Sequence, residues 1–442
     1  MKMDRRQFTG SMAGAFVGAF VARSPIAPFT SRPMRHGALD ASRLNANIKA
    51  LSAFGANAQG GVSRVAYSDF DRAGRAYVMD LMRAAGLDAR VDFAGNIFGR
   101  RTGTDAALRP IVFGSHIDSV PDGGNFDGTV GALSAIEVAQ SLAEGRVRTR
   151  HPIEVVVWAN EEGGLYGSRS VSGQLKVAEL DNRTWSGKTV DEGMTFLGGV
   201  PSRLDEVRRH RGDIAAYIEL HIEQGGTLER DAINIGVVEG IVGIRRWDVT
   251  VTGMQNHAGT TPMDQRHDAM LAAARFVDMV NRVVRAEPGR QVGTVGRLEA
   301  FPGAPNVIPG RVVCTLELRD VDSAKTQRIF DAIAGEAKHV GEANGTTFDF
   351  KATHEDMPAL SDPGIRAIID DAAKELKLTT HHMPSGAGHD AQAMAQLGPM
   401  GMIFVPSIGG ISHSPKEFST ATDIERGARV LMGAVLKADT LG

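Results

Sequence analysis

The sequence predicts an α/β fold: a mostly parallel sheet flanked by helices, with a second α+β unit inserted into it. Apolar runs at 111–113 and 153–158 predict buried strands, and the small-residue run 128–142 between them predicts a helix. This alternation is typical of parallel strand–helix–strand units. Alternating strands replace it after Val238, and it resumes after Pro358, which predicts the insertion.

The part of the chain before Val238 supplies most of the predicted parallel sheet. Residues 176–213 interrupt it with a polar, irregular stretch. The other elements expected here are two helices within 39–101, strands at 90–91 and 97–98, a basic helical piece near 204–211 and a strand at 215–220.

The insertion has a different pattern, in which strands alternate apolar and polar residues as in half-buried sheets. Its predicted strands are 243–251, 293–298 and 311–318, and its predicted helices are 268–284 and 323–343. The last part of the chain predicts a helix at 364–376, a strand at 402–405 and a helix at 422–437. The predicted domains are therefore a leader at 1–35, a main domain in two parts at 36–238 and 356–442, and the insertion at 239–355.

Composition narrows the kinds of function that the chain can have. A net charge of −3 over 442 residues gives no electrostatic reason to expect binding to nucleic acid. Cys314 is the single cysteine, which excludes an intrachain disulfide and a cysteine-rich metal site. Any bound metal must therefore be held by histidine, aspartate and glutamate.

The first residues resemble an export signal. Arg5-Arg6-Gln7-Phe8 follows a basic start and precedes a mildly apolar run at 8–22 that is rich in glycine and alanine. This pattern is similar to a twin-arginine signal and predicts a periplasmic protein. A disordered basic terminus or a short anchor is the alternative, and the protein would be cytoplasmic if the signal does not function.

Acidic and imidazole side chains gather at the ends of the predicted core strands. Each alone is weak evidence, because a single polar residue at a strand end is usually only solvated or hydrogen-bonded. Together they supply what two divalent ions need, namely a bridging carboxylate, terminal ligands, and a further carboxylate as a base. The segments are His116-x-Asp118, Asp127-Gly128, Glu161-Glu162, Glu219-Leu220-His221-Ile222-Glu223-Gln224 and Ser412-His413.

These segments resemble the M20 metallopeptidase superfamily, and within it the amidase/carbamoylase branch of N-carbamoyl-L-amino-acid hydrolases, allantoate amidohydrolases and β-ureidopropionases. Two more segments carry the resemblance, Asn256-His257-Ala258-Gly259-Thr260-Thr261-Pro262 and Gly386-Ala387-Gly388-His389-Asp390. The resemblance implies a zinc-hydrolase catalytic domain and a homodimer formed through the inserted domain, which also acts as a lid. No stable membrane span is expected, because the apolar run at 8–22 is short and interrupted by glycines.

The resemblance also implies a metal site with two divalent ions, zinc or else manganese, cobalt or nickel. Asp127 would bridge the ions. His116 and His221 would complete the shell of one ion, and Glu162 and His413 that of the other.

Further roles follow from the same resemblance. Glu161 would be the general base and then the acid for a hydroxide that bridges the metals, and Asp118 would orient His116. His257 would stabilise the oxyanion. The expected substrate-binding residues are Asn306, Arg319, Gln224 and His389.

The predicted activity is cleavage of the C–N bond of an N-carbamoyl (ureido) amino acid or an allantoate-like substrate. The alternatives are an M20 dipeptidase, carboxypeptidase or N-acyl-amino-acid deacylase, and a non-catalytic binding protein of the same fold. One departure bears on specificity: the loop after Glu162 is shorter than is usual in the branch and lacks its Ser-Arg-Phe. A smaller one is Glu317, where the branch usually has aspartate.

Overall fold

The computed structural model describes residues 38–441, whose strands form a nine-stranded, a five-stranded and a two-stranded sheet. The strands are β1 (Asp88–Val91), β2 (Ile97–Arg101), β3 (Ile111–His116), β4 (Ile153–Trp158), β5 (Ala216–Ile222), β6 (Ile235–Ile241), β7 (Gly243–Thr252), β8 (Asn256–His257), β9 (Val292–Thr294), β10 (Leu298–Phe301), β11 (Val307–Ile308), β12 (Arg311–Asp320), β13 (Thr347–Asp356), β14 (Ala359–Leu360), β15 (Thr380–Ser385) and β16 (Met400–Val405). The helices are α1 (Ala41–Leu51), α2 (Asp69–Ala84), α3 (Thr129–Glu144), α4 (Tyr166–Val171), α5 (Val190–Phe196), α6 (Thr227–Arg230), α7 (Ala269–Ala286), α8 (Ser323–Asn344), α9 (Pro363–Glu375), α10 (Asp390–Met394) and α11 (Ala421–Ala438).

The nine-stranded sheet has the order β1-β2-β4-β3-β5-β16-β6-β14, with β15 beside β6. Its four central strands, β4-β3-β5-β16, are parallel to their neighbours within this group. Antiparallel pairings flank them on both sides. The predicted α/β class with a mostly parallel central sheet is therefore confirmed, and the carboxyl ends of the four central strands meet at one edge of the sheet.

The central strands are buried along their whole length because helices or loops cover both faces of the sheet. Helix α3 packs directly on β5 through Gly131, where an added Cβ would lie 2.0 Å from the carbonyl oxygen of Leu220. The small residues of the predicted helix 128–142 thus allow a close approach to the sheet. Helix α3 consequently begins directly beneath the sheet edge that carries the candidate site.

The five-stranded sheet is wholly antiparallel, with the order β10-β12-β7-β13 and with β9 beside β12. Its inner face packs on α7 and α8 around a core that includes Trp247, Phe276 and Leu316. Asp268 and Asp322 accept hydrogen bonds from the first turns of these two helices and so fix their starts. Residues 243–356 form this sheet, while the predicted domain boundaries stay a prediction.

Two of the secondary-structure predictions are wrong. The basic piece near 204–211 is not a helix: a short 3-10 helix spans Pro201–Glu206, and the chain then runs on without helix. Arg209 instead pairs with the buried Glu154 at 2.7 Å. The predicted strand 293–298 is divided into β9 and β10, which pair with different parts of β12.

Among residues 38–441, no helix is both long enough and apolar enough to cross a bilayer. The predicted twin-arginine signal lies outside the described residues.

Candidate active site

Asp127 lies at the centre of the candidate site, and its two carboxylate oxygens face different partners. Oδ1 is 3.1 Å from His221 Nε2 and 3.5 Å from His116 Nε2. Oδ2 is 3.5 Å from His413 Nε2, which in turn is 3.3 Å from Glu162 Oε2. The structure thus brings all five predicted metal ligands together, in two groups that share Asp127.

The four central strands explain this convergence. His116 ends β3, His221 lies near the end of β5, and Glu162 follows β4. His413 follows β16 after a glycine-containing turn. Because these strands are parallel neighbours, residues far apart in the sequence meet at one edge.

The imidazole rings of His116 and His221 are oriented through their Nδ1 atoms. His116 Nδ1 is 3.1 Å from the backbone oxygen of Asp118, and His221 Nδ1 is 2.9 Å from the backbone oxygen of Ile222. A carbonyl oxygen only accepts hydrogen bonds, so each Nδ1 carries a proton, and in the neutral ring Nε2, on the side of Asp127, is the nitrogen left free to bind a metal. This is the tautomer that a metal-binding histidine requires.

Asp118 does not steer His116 in the predicted way. Its backbone oxygen orients the ring, whereas the nearest carboxylate oxygen is 3.7 Å from Nδ1. The carboxylate instead accepts hydrogen bonds from the backbone N–H groups of Glu161 and Glu162, at 3.3 and 3.2 Å. The side chain of Asp118 therefore holds the loop that carries the predicted base and one ligand.

Glu161 is buried beside the ligands, with Oε2 3.6 Å from His116 Nε2. Burial raises the pKa of Glu161 well above its usual value, and the negative charges of Glu162, Asp390 and Asp127 raise it further, against the opposing effect of His116. A carboxyl group with a raised pKa can hold a proton near neutral pH, as a group that accepts and then returns a proton must.

The charges of the cluster stabilise one another: Asp127 is held in its negative form, and the neighbouring histidines are held in their positive form. Burial would raise the pKa of Asp127, but the histidines around it lower that pKa well below its usual value. Interactions with Asp127 and Glu162 raise the pKa of His413 to about 10. Burial would lower the pKa of His116, yet Glu161, Asp127 and Asp118 raise it well above normal.

The donor set fits divalent metal ions. Within residues 38–441, the buried atoms His116 Nε2 and Glu162 Oε1 have no hydrogen-bond partner, although buried polar atoms usually have one. Both atoms belong to the cluster around Asp127, and imidazole with carboxylate is a ligand combination that suits zinc, manganese, cobalt or nickel. Cations at this position would satisfy both atoms.

Local backbone geometry keeps the ligands in place. Gly128 has a φ of 59°, and an added Cβ would lie 2.3 Å from the ring of His116, so only glycine fits next to Asp127. His413 and Gln224 also have left-handed backbones, with φ of 53° and 57°. Such conformations cost about 1–3 kcal/mol in residues other than glycine and are typical of functional sites.

Glu417 is a site residue that the sequence analysis missed. Its Oε1 accepts hydrogen bonds from the backbone N–H groups of Phe126 and Asp127, at 2.9 and 3.0 Å. Its Oε2 accepts from Ser412 Oγ at 3.0 Å and from the N–H of His413 at 3.2 Å. One buried side chain thus connects the loops of two predicted metal ligands, and its only sequence signal is a glutamate four residues after His413.

Gln224 and His389, the less specific sequence candidates, both lie at the cluster. Gln224 Nε2 donates to Asp127 Oδ2 at 2.6 Å. His389 is buried with its ring centroid 4.4 Å from that of His221, and its Nε2 is 2.9 Å from Ser385 Oγ. Burial and the neighbouring His221 lower the pKa of His389 well below its usual value, so this ring is neutral.

His257 and Asn306 lie apart from the cluster, His257 on β8 of the two-stranded sheet and Asn306 directly before its other strand, β11. Both residues are exposed, and neither lines the cavity described below. The N–H groups of Gly259 and Thr260 donate to His257 Nδ1 at 3.0 and 3.1 Å. The neutral ring therefore carries its proton on Nε2, where it can donate to a ligand.

Arg319 lines the same cavity as several residues of the cluster. A cavity of about 580 Å³ is lined by Glu161, Glu162, Gln224 and His413 on one side and by Arg319 on another. Arg319 Nε donates to Glu317 Oε1 at 2.7 Å, and Nη1 donates to the backbone oxygen of Gly386 at 2.9 Å. The five-stranded sheet thus places one cation opposite the candidate metal ligands.

Comparison with known proteins shows the family to which the chain is similar. Residues 112–437 match Peptidase family M20/M25/M40. An N-carbamoyl-L-amino acid amidohydrolase of Geobacillus stearothermophilus is 39% identical over 402 residues, which cover 90% of this chain and 98% of that protein. A ureidoglycolate hydrolase of Arabidopsis thaliana is 37% identical over 406 residues, covering 89% of this chain and 85% of that protein.

A solved structure shares the fold. The crystal structure of an amidase of the hydantoinase/carbamoylase family from Burkholderia multivorans superimposes with a TM-score of 0.84 at 37% identity. The match covers 91% of this chain and 98% of that one.

Proposed function

This chain belongs to the M20/M25/M40 peptidase family, a family of metal-dependent hydrolases, and we propose that it is a two-metal amidohydrolase acting on N-carbamoyl (ureido) amino acids or an allantoate-like substrate. The observation that carries the proposal is the placement of Asp127 between two groups of ligands, with Glu161 beside them. The names of the relatives support hydrolysis of C–N bonds other than peptide bonds.

The proposed ligands are His116 and His221 for one ion, Glu162 and His413 for the other, and Asp127 for both. When bound, two divalent cations would polarise the substrate carbonyl and lower the pKa of the attacking water. The buried ligand atoms and the low pKa of Asp127 support this assignment.

Glu161 is the proposed proton carrier. It accepts a proton from water as the water oxygen attacks the ureido carbonyl carbon, and it returns that proton to the leaving nitrogen as the C–N bond breaks. With an N-carbamoyl amino acid, ammonia leaves and the remaining carbamate breaks down to carbon dioxide and the amino acid. The raised pKa of Glu161 supports this role.

Arg319 and His257 are proposed to bind the rest of the substrate. The guanidinium of Arg319 would pair with the substrate carboxylate, for which its planar shape is suited. His257 Nε2–H would donate to the oxyanion, with Asn306, directly before β11, also contacting the substrate. Because His257 and Asn306 do not line the cavity of their own chain, we propose that they serve the site of a second subunit.

The proposed homodimer would form through the inserted domain. Met270, Leu271 and Val277 are exposed apolar residues of α7, and Leu298 is exposed on the edge strand β10, which together offer a surface for association. Sedimentation velocity at micromolar protein would test this, since a monomer would contradict the shared site.

Periplasmic export is likewise a proposal, to be tested by localising a reporter fused to residues 1–40.

A substrate panel tests the proposed activity. The metal-loaded protein would be incubated with N-carbamoyl amino acids, allantoate, ureidoglycolate and 3-ureidopropionate, and ammonia would be assayed, with dipeptides and N-acyl amino acids assayed for amine release. We expect ammonia from at least one ureido substrate at a higher rate than any cleavage of a dipeptide. Cleavage confined to dipeptides or N-acyl amino acids would establish one of the alternative activities instead.

A further inference from the structure

The cavity beside the candidate metal ligands has a largely polar lining that includes Lys176. We propose that this cavity binds a second anionic group of the substrate, recognised by Lys176. The inference rests on the proposed amidohydrolase function. It adds a substrate class to that function, namely N-carbamoyl derivatives of acidic amino acids.

The size and lining of the cavity favour a polar substituent. Its volume of about 580 Å³ lies within the range that holds a whole small ligand, so there is space beyond a ureido group and one carboxylate. Leu165, Ile244 and Ala387 are the few apolar residues among its lining, and the rest are glycine, polar or charged. Most of the lining residues can therefore form a hydrogen bond or an ion pair with a polar substituent.

Two of the acidic residues that line the cavity pair with arginines. Arg169 Nη1 and Nη2 donate to the two carboxylate oxygens of Glu179, each at 2.8 Å. Glu355 is 3.1 Å from Arg245 Nε. Glu179 and Glu355 therefore contribute little net negative charge to the cavity, whereas the partner of Asp356 is a histidine, His354, at 2.7 Å.

Two of the cations in this cavity retain an uncompensated charge. Glu317 binds both Arg319 and Arg246, so one positive charge remains on that group of three side chains. Lys176 forms no ion pair within residues 38–441. One substrate carboxylate would occupy Arg319, and Lys176 is available for a second.

The short loop after Glu162 places Lys176 at the cavity. Helix α4 begins at Tyr166 and carries Arg169, whose bidentate pair fixes Glu179. Glu179 Oε2 in turn accepts a hydrogen bond from the backbone N–H of Lys176 at 2.9 Å. The backbone of Lys176 is thus anchored at the cavity wall while its ammonium keeps its charge for a ligand.

Substrate pairs that differ only in charge test this inference. We would measure kcat/KM for N-carbamoyl-L-glutamate against N-carbamoyl-L-glutamine, and for N-carbamoyl-L-aspartate against N-carbamoyl-L-asparagine. We expect the acid to exceed its amide by about twofold to fivefold in at least one pair at low salt, the range of an ion pair with an exposed lysine. The ratio should decrease as salt screens the charge.

Three variants assign the preference to Lys176. In Lys176→Met the ratio of acid to amide should fall to about one, whereas Lys176→Arg, which keeps the charge, should retain most of it. Lys338→Met removes the same charge from an exposed position on α8 and should keep the wild-type ratio.

The outcomes separate the two proposals. Cleavage of the amides without an acid preference, or a preference that persists in Lys176→Met, would overturn the inference and leave the proposed function standing. Cleavage of no carbamoyl substrate, including those of the wider panel, would overturn both.

Discussion

The candidate metal-ligand cluster and the two-stranded sheet of β8 and β11 differ in how deeply most of their residues are buried. His116, His221 and Asp127 are buried, and each is held by backbone hydrogen bonds within the nine-stranded sheet or the loops at its edge. His257 is exposed on the two-stranded sheet of β8 and β11, and Asn306, directly before β11, is also exposed. The proposed chemistry therefore lies mainly on buried residues, whereas these two proposed substrate contacts lie on a separate, exposed part of the chain.

This difference makes a general prediction. Changes at the cluster should alter metal content or the turnover of every substrate. Changes on the inserted sheet should leave metal content intact and act through substrate or transition-state binding.

Glu161→Gln should have the largest effect on turnover. Gln keeps the shape but cannot carry the proton, so kcat should fall by about 10³- to 10⁴-fold, near the upper limit for one acid–base group. Metal content, measured by plasma mass spectrometry, should stay at the wild-type value. A kcat within tenfold of wild type would show that another group moves the proton.

His257→Ala should reduce kcat by about 10²- to 10³-fold, the usual loss for one oxyanion donor, again without loss of metal. If His257 serves a second subunit, mixing this variant with Glu161→Gln should restore part of the activity, because a mixed dimer contains one site with both residues intact. No recovery after demonstrated subunit exchange would place His257 in its own chain's site.

Glu417→Gln tests how the cluster is held together. A Gln amide has one acceptor oxygen, so it cannot accept from all four groups that now donate to Glu417. Metal affinity, measured by titration with a chelator, should fall by about 10- to 100-fold, as for other residues that orient ligands. Glu425→Gln on α11, which removes a salt bridge with Arg429 away from the site, is the matched control, and equal affinities in the two variants would contradict this role.

Arg319→Lys should raise KM by about tenfold, since an ammonium keeps the charge but loses the paired donors of a guanidinium. The kcat should change by less than about threefold. A fall in kcat with unchanged KM would mean that Arg319 acts mainly in the transition state.

Much of the fold was predictable because the core strands are continuous apolar runs and the amphipathic helices have capping residues such as Asp268 and Asp322. The sequence analysis missed β6, β13 and β15, which it assigned to no element. Strand β13 is exposed along most of its length, so burial leaves little pattern in it. The 204–211 error arose because the arginines there bind residues distant in sequence, such as Glu154.

The site shows a similar division. The ligands are predictable as polar residues at strand ends, because the ends of parallel strands meet. Glu417 was not, since its role consists of hydrogen bonds to the backbone of Phe126 and Asp127, about 290 residues away in the chain, and backbone contacts leave no trace in residue type. The roles of Asp118 were not predictable for the same reason: its carbonyl oxygen contacts His116, and its carboxylate accepts from the backbone of Glu161 and Glu162.

Metal stoichiometry tests whether Asp127 joins two metal ions. The wild-type protein, loaded with zinc and dialysed, should contain two ions per chain by plasma mass spectrometry. His116→Ala and His413→Ala should each retain about one, because each removes a ligand from a different ion. One ion or fewer in the wild type, or loss of both ions in each variant with the fold intact by circular dichroism, would contradict a site in which Asp127 joins two separately held ions.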